Sequence, residues 1–257
     1  MCRHLARLGP PMPLAGPLFD DPHALVRQSW APTDMRGGGT INADGFGVGW
    51  FPPGGGPAVR YRRDCPIWAD ASLPALAAAT TAGSLLAAVR SATVGMPCVE
   101  TAAAPFTDGR WLFSHNGVVP GWPDSLAPLA ATLPVRELLL LDAPSDAALL
   151  WALVRHALAA GATPAAAVAD TVRRAAAAVP AARLNLLLVG PAVAVASTLG
   201  HSLWYRVAAG STTLASEPLD ADPAWQPVGD GRLVEATPGT VKHDSLISST
   251  PIDQEAR

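Results

Sequence analysis

The spacing of apolar residues changes period along the chain, and each change predicts an element. At 46–51 bulky residues alternate with glycine, Phe-Gly-Val-Gly-Trp-Phe, before Pro52 and the Gly54-Gly55-Gly56 turn. A period of two with glycine on one face predicts a strand that a neighbouring backbone approaches closely. Residues 58–63 supply its hairpin partner. Upstream, Pro22 with Leu25, Val26 and Trp30 predicts a short helix over 22–30, broken by Gly37-Gly38-Gly39. Residues 74–79 are helix-like, and 84–89 form a short apolar run expected of a buried strand, leaving Arg90 at its end. Residues 111–115 read as a strand running into the turn formers Asn116-Gly117.

Helical periodicity dominates the middle of the chain. Ser145 is a good cap for a helix opening on Asp146 and continuing to Leu158, and the acid suits the positive end of the helix dipole. A second helix spans 164–178. The pattern then shortens to strands at 184–189, 192–197, 203–207, 212–216, 232–235 and 240–243. Two central helices flanked by many strands fit an α+β domain of layered sheets and helices rather than regular βαβ alternation. No linker divides the chain, so residues 2–247 are expected to form one domain followed by a flexible tail over 248–257.

Composition narrows the chemistry. The apolar region at 147–179 is interrupted by Arg155, His156, Asp170, Arg173 and Arg174, short of the roughly 18 uninterrupted residues of a spanning helix, so no membrane partner is expected. The net charge of −3, without a basic run, gives no footprint for nucleic acid. The opening residues lack an apolar core followed by a cleavage site, which makes the cytoplasm the expected compartment. Cys2, Cys65 and Cys98 cannot all pair with one another and show no metal-ligand spacing, so no metal is expected. GxGxxG, P-loop and HExxH patterns are absent, which removes dinucleotide, nucleotide and zincin readings. No cofactor is expected, and nothing in the sequence sets an oligomeric state.

Cys2 is the first residue with evident chemical potential. Removal of Met1 would leave one residue holding both a thiol nucleophile and an α-amine whose reference pKa of about 7.7 lets it accept a proton near neutrality. A cysteine at position two is by itself more often incidental. The distant segments change that. Met1-Cys2-Arg3-His4-Leu5, the 42–50 segment Asn-Ala-Asp-Gly-Phe-Gly-Val-Gly-Trp, Val89-Arg90-Ser91-Ala92-Thr93, Phe113-Ser114-His115-Asn116-Gly117 and Ser145-Asp146 together resemble a class II glutamine amidotransferase domain, in order and spacing. Ala215-Ser216-Glu217-Pro218-Leu219 is similar to the end of that domain.

The resemblance implies a four-layer αββα sandwich, two antiparallel sheets between helix layers, with the cysteine at the end of an inner strand. It implies that Cys2 attacks a γ-glutamyl carbonyl while its amine carries the proton to the leaving nitrogen. Asn116 and Gly117 would form the oxyanion hole, a side-chain amide and a backbone N–H aimed at the developing charge. Arg90 would grip the α-carboxylate of a small-molecule γ-glutamyl substrate, a task suited to its planar fork. Asp146 would pair with the α-ammonium, and Thr93 would contact the glutamyl group. Taken singly, these residues also read as a hairpin turn, a surface arginine, a helix-start acid and a turn hydroxyl.

Three positions depart from ammonia-transferring members: Ser91 where tryptophan is common, Val94 where histidine is common and Ala148 where an acid is common. They leave the glutamyl clamp intact and fall where leaving-group specificity would lie. The resemblance spans the chain and leaves no room for a synthase, so the expected reaction is hydrolysis. The opening motif, the 44–50 stretch and Val-Arg-Ser-Ala-Thr are most similar to the stand-alone γ-glutamyl hydrolases of ergothioneine biosynthesis, whose substrate carries a trimethylammonium group and an imidazole. Among the tryptophans, Trp30, Trp50 and Trp111 lie nearest the motifs in sequence. Hydrolysis of other γ-glutamyl peptides, a glutaminase subunit that passes ammonia to a partner, and a noncatalytic binding protein are the competing readings.

Overall fold

The computed structural model describes residues 2–36 and 41–246. Met1, the Gly37-Gly38-Gly39 break and the expected tail over 248–257 lie outside them. Thirteen strands occur among the described residues: β1 (Arg3–Pro13), β2 (Phe46–Phe51), β3 (Val59–Arg63), β4 (Thr81–Val89), β5 (Phe106–Thr107), β6 (Leu112–Val118), β7 (Arg183–Val189), β8 (Ala194–Thr198), β9 (Trp204–Ala208), β10 (Ser211–Ala215), β11 (Gln226–Pro227), β12 (Arg232–Thr237) and β13 (Thr240–Ser245). The α-helices are α1 (Leu25–Gln28), α2 (Leu73–Ala79), α3 (Ala127–Ala130), α4 (Val135–Leu139), α5 (Asp146–Ala159) and α6 (Pro164–Ala178). One sheet has the order β11-β9-β10-β1-β4-β2-β3 and the other β13-β12-β8-β7-β6-β5.

Strand alternation divides the interior into three cores. Ala6, Leu8, Leu86 and Leu214 of the first sheet meet Leu112 and Leu187 of the second between the sheets. The opposite faces of the same strands pack outward. Leu5, Leu85 and Val48 lie with Leu25 and Leu73 of α1 and α2, while Leu186 and Leu188 lie with Leu149 and Val168 of α5 and α6. The result is the expected four-layer sandwich. Each sheet is covered on both faces, which is why strands such as Leu184-Asn185-Leu186-Leu187-Leu188-Val189 show near-continuous hydrophobicity instead of alternation.

The glycines of β2 set the spacing of the sheets. Phe46 and Val48 fill the outer core, whereas a Cβ on Gly47 would lie 2.3 Å from the Ala104 carbonyl oxygen and one on Gly49 would lie 2.5 Å from a Leu112 methyl. The second sheet therefore sits against bare backbone at this point.

Three local expectations need correction. The helix predicted over 22–30 shrinks to the single turn α1, because the Ser29 hydroxyl bonds back to the Val26 carbonyl at 2.5 Å and closes it. The Asn116-Gly117 turn does not exist: both residues lie inside β6, opposite Asn185 and Leu184 of β7. Glycine stands there because a Cβ at 117 would lie 1.9 Å from the Arg183 carbonyl oxygen, so it serves close strand approach. The third is an omission. Arg3–Pro13 forms an 11-residue strand at the centre of the first sheet, its pattern masked by Gly9, Pro10 and Pro11, where the pairing with β4 shifts register between Leu8 and Met12.

A buried charge network anchors the start of β1. Arg3 Nε lies 2.7 Å from Glu217 Oε1 with both side chains about 1% exposed, Arg3 Nη1 donates to the Cys2 carbonyl at 3.3 Å, and Nη2 donates to the Asp34 carbonyl. Glu217 Oε2 accepts the Thr33 N–H at 2.6 Å and hydroxyl at 2.5 Å and lies 3.0 Å from His23 Nε2. Burial pushes the Glu217 carboxyl up, but the His23 and Thr33 hydrogen bonds and the Arg3 charge prevail and hold its pKa at about 2 instead of 4.5.

Gly47→Ala should cost about 1–3 kcal/mol of unfolding free energy in urea titrations and Gly49→Ala less, since the first Cβ meets a carbonyl and the second a movable side-chain end. Equal losses would refute this account of the inter-sheet contact. Because the folded pKa of Glu217 is depressed, its contribution is complete above pH 4.5 and disappears as pH falls through 2. Urea midpoints of Glu217→Gln should therefore lie below wild type at pH 7 and fall less steeply between pH 4.5 and 2. Parallel pH profiles would count against the network.

Candidate active site

The strand pairings bring the sequence motifs together. Arg3 and Phe46 both face Val89 of β4, so Cys2 and the Asp44-Gly45 approach to β2 converge on the segment leaving β4 at Arg90. Backbone and side chain knit that junction. Arg90 N–H donates to the Gly45 carbonyl at 2.8 Å, Asp44 N–H donates to the Arg90 carbonyl at 3.0 Å, and Asp44 Oδ2 accepts the Ala92 N–H at 2.8 Å. Asp44 thus shapes the loop that carries Arg90. The Cys2 thiol donates to the Ser91 carbonyl at 3.7 Å.

A cavity of about 530 Å³, including its open mouth, has Cys2, Arg90, Thr93, Gly117 and Asp146 on its wall. These are five of the six residues expected from the sequence. Asn116 is the sixth. It is 1% exposed and does not line the cavity; its amide Nδ2 donates to Ser216 Oγ at 3.4 Å and its Oδ1 has no partner among the described residues.

The two charged groups sit differently. Arg90 is half-buried, its Nη1 donating to the Pro97 carbonyl at 2.9 Å and the Asp44 carbonyl at 3.4 Å, with no carboxylate partner among the described residues. Asp146 is buried at the first residue of α5. There it accepts the Val119 N–H at 3.1 Å and the Ala147 N–H at 2.7 Å, while Ser145 Oγ caps the helix by accepting from Ala148 N–H at 3.3 Å. A carboxylate offers about four lone-pair sites, so two N–H contacts leave capacity for an ammonium. Thr93 stands on the exposed rim, its carbonyl accepting the Met96 N–H at 2.9 Å.

Sequence reasoning misses four polar residues around this site. His4 lies beneath it with Nδ1 3.2 Å from Ser114 Oγ. Burial first, then His115, His201 and Arg3, lower its pKa from 6.5 to about 3, so it stays neutral at physiological pH. Ser216 Oγ accepts the His4 N–H at 3.0 Å and the Asn116 amide, tying β1 to β6. His115 lines the cavity and also holds a structural contact, Nε2 to the Arg183 carbonyl at 3.0 Å. His4, Ser114, His115 and Ser216 all lie inside the motifs that carry the resemblance, and that is the signal that could have found them. Trp30, Trp50 and Trp111 line no part of the cavity. Among the described residues no cluster of three or more metal-ligating side chains occurs, and no helix is long and apolar enough to cross a membrane.

Comparison with known proteins agrees with this geometry. Residues 18–182 match the family of class-II glutamine amidotransferases. The γ-glutamyl-hercynylcysteine sulfoxide hydrolase of Mycolicibacterium smegmatis is 40% identical over 252 residues, covering 98% of this chain and 100% of that protein. Among solved structures, a glutamine aminotransferase class-II domain protein from Silicibacter pomeroyi superposes with a TM-score of 0.68 at 21% identity, over 95% of this chain and 99% of that one. The glutamine phosphoribosylpyrophosphate amidotransferase of B. subtilis gives a TM-score of 0.66 at 11% identity, over 96% of this chain and 49% of that one. These two likenesses establish the fold, that of the N-terminal-nucleophile hydrolases. Sequence family and fold lead to one conclusion: the chain is an enzyme of the class II glutamine amidotransferase family.

Proposed function

We propose that this enzyme hydrolyses the γ-glutamyl amide of γ-glutamyl hercynylcysteine sulfoxide, releasing glutamate and hercynylcysteine sulfoxide in ergothioneine biosynthesis. The observation that carries the chemistry is the placement of an arginine with no carboxylate partner among the described residues, a helix-start carboxylate and a cysteine thiol on the wall of one cavity. Arg90 and Asp146 suit the α-carboxylate and α-ammonium of a free glutamyl end. The near-full-length likeness to the M. smegmatis hydrolase supports the leaving group.

In this reading Met1 is removed and the α-amine of Cys2 takes the thiol proton. The sulfur attacks the γ-carbonyl, and the tetrahedral oxyanion is met by the Gly117 N–H on the cavity wall; the Asn116 amide, buried off that wall and bonded to Ser216 Oγ, joins it only by turning its second hydrogen toward the cavity. Collapse expels the amide nitrogen, which takes the proton from the α-ammonium, and leaves a γ-glutamyl thioester. Water, deprotonated by the same amine, attacks the thioester and regenerates the thiol. Thr93 closes the rim over the glutamyl group, and residues 2–247 act as one domain. A fixed thiol and amine supply nucleophile and base, so no step calls for a metal or cofactor. Free cysteines at Cys2, Cys65 and Cys98 suit the reducing cytoplasm, and the net charge of −3 suits a small-molecule substrate better than nucleic acid.

A mass-detected panel of glutamine, γ-glutamyl-cysteine peptides and γ-glutamyl hercynylcysteine sulfoxide should show preference for the last, and a wild-type enzyme inert toward it sinks the assignment. Cys2→Ala should lower kcat by on the order of 10⁵-fold or more while keeping the wild-type melting transition. Intact mass of active enzyme should lack the initiator methionine; full activity with Met1 attached would exclude the amine as base. Arg90→Ala should raise KM about 10- to 100-fold through loss of a charge-assisted contact, with a smaller change in kcat. An unchanged KM would remove Arg90 from the clamp.

A further inference from the structure

The candidate catalytic cavity borders a second space. Thr93 and Met96 form part of its wall and also part of the wall of a second, wider hollow of about 1160 Å³. The far side of that hollow is the segment following Gly117, with Val118, Pro120 and Trp122, and Val94 stands fully exposed at its rim. The two spaces share a frame. Val119, part of the hollow wall, donates its N–H to Asp146 at 3.1 Å, and its carbonyl accepts the Trp122 N–H at 3.3 Å. Trp122 is half-buried and packs against the core formed with α5 and α6, so its ring is held in place.

Among the described residues, none of those lining this hollow carries a charge. With the glutamyl end placed between Arg90 and Asp146 and its γ-carbonyl at Cys2, as in the reading above, the wall shared at Thr93 and Met96 makes this hollow the neighbouring space for a leaving group. A trimethylammonium has no N–H to donate. It is recognised by the negative face of an aromatic ring and by apolar contact with its methyls.

We propose that this hollow is the leaving-group subsite and that Trp122 is its specificity-determining residue, receiving the trimethylammonium of the substrate on its indole ring. Val94, Met96 and Val118 supply the apolar surround. Trp30 is half exposed and lines neither space, Trp50 packs against the outer core of the first sheet and Trp111 lines a different hollow, so none of them competes for the role. The inference rests on the γ-glutamyl hercynylcysteine sulfoxide reading given above.

The test compares kcat/KM for that substrate with an analogue in which a tert-butyl group replaces the trimethylammonium, equal in shape and without charge. Wild type should prefer the cation by about 3- to 30-fold, Trp122→Phe should keep part of that preference, and Trp122→Leu should bring the ratio close to one. Val94 is fully exposed, so substitutions there spare the core: Val94→Lys should lower the ratio and Val94→Glu should raise it, each about two- to fivefold and less at high salt. A wild-type ratio of one, or an undiminished ratio in folded Trp122→Leu together with no response to the charge at position 94, overturns the subsite. If wild type cleaves neither compound but does cleave glutamine, the substrate reading itself falls and takes this inference with it.

Discussion

Arg3 and Glu217 stand 214 positions apart in sequence and form an ion pair from which water is almost wholly excluded. Bringing two such charges out of water costs several kcal/mol per ion, and the pair is tolerable only when their remaining hydrogen-bonding capacity is met. Here Thr33 and His23 meet it on the carboxylate side, and the Cys2 and Asp34 carbonyls on the guanidinium side. The consequence is mechanical. Chain termini ordinarily fray, yet Cys2, the nucleophile of the proposed reaction, stands directly before the first strand. Arg3 grips the carbonyl of that residue directly, and β1 runs between β4 and β10 at the middle of the sheet, where both edges are hydrogen-bonded.

The same strand explains why separate motifs form one site. Antiparallel pairing of β1 and β2 with β4 brings the residues before β1, before β2 and after β4 to one end of the sheet. The close approach of the sheets at Gly47 and Gly49 brings β6 under that end, and Ser216 and His4 join the layers with hydrogen bonds. Helix α5 then points its N-terminus at the cavity, where Asp146 is stabilised by the helix dipole and its own N–H contacts. Each functional group is thus positioned by an element already required for packing.

What the sequence discloses follows from the range of the interactions. The β2 strand, both long helices and most of the later strands are legible because their period is local: Phe46–Phe51 and Pro164–Ala178 form as the pattern predicts. The central strand is not, because Gly9-Pro10-Pro11 looks like a break while the neighbouring strands that stabilise β1 are distant in sequence, the nearest pair being Pro13 with Thr81. Asn116-Gly117 carries turn chemistry but is overruled by its pairing with β7, where glycine is needed for a carbonyl contact. Five of the expected site residues line the cavity, whereas Ser216 and Glu217 stand in the late motif without a role, because their hydrogen-bond and ion-pair partners are distant in sequence. Nearness in sequence does not select a tryptophan: Trp30, Trp50 and Trp111 flank motifs and line no part of the cavity.

The site divides recognition between two unlike environments. In the proposed reading the glutamyl half meets opposite full charges at Arg90 and Asp146, where a missing carboxylate or ammonium leaves a protein group unpaired and is strongly penalised. In the same reading the other half lies in a hollow with no charged side chain among its described lining residues, where discrimination depends on shape and on the polarisable faces of a few side chains and is weaker per contact. Val94 lies on that second wall and Ser91 on the first, so two of the three departures from ammonia-transferring members border these two spaces, while the third, Ala148, is buried in α5. In the proposed reading, a fold that holds its clamp at the end of β4 and the start of α5 changes its leaving group through residues of the loop that follows Arg90, where side-chain size and charge vary without altering the strands and the helix that position the clamp.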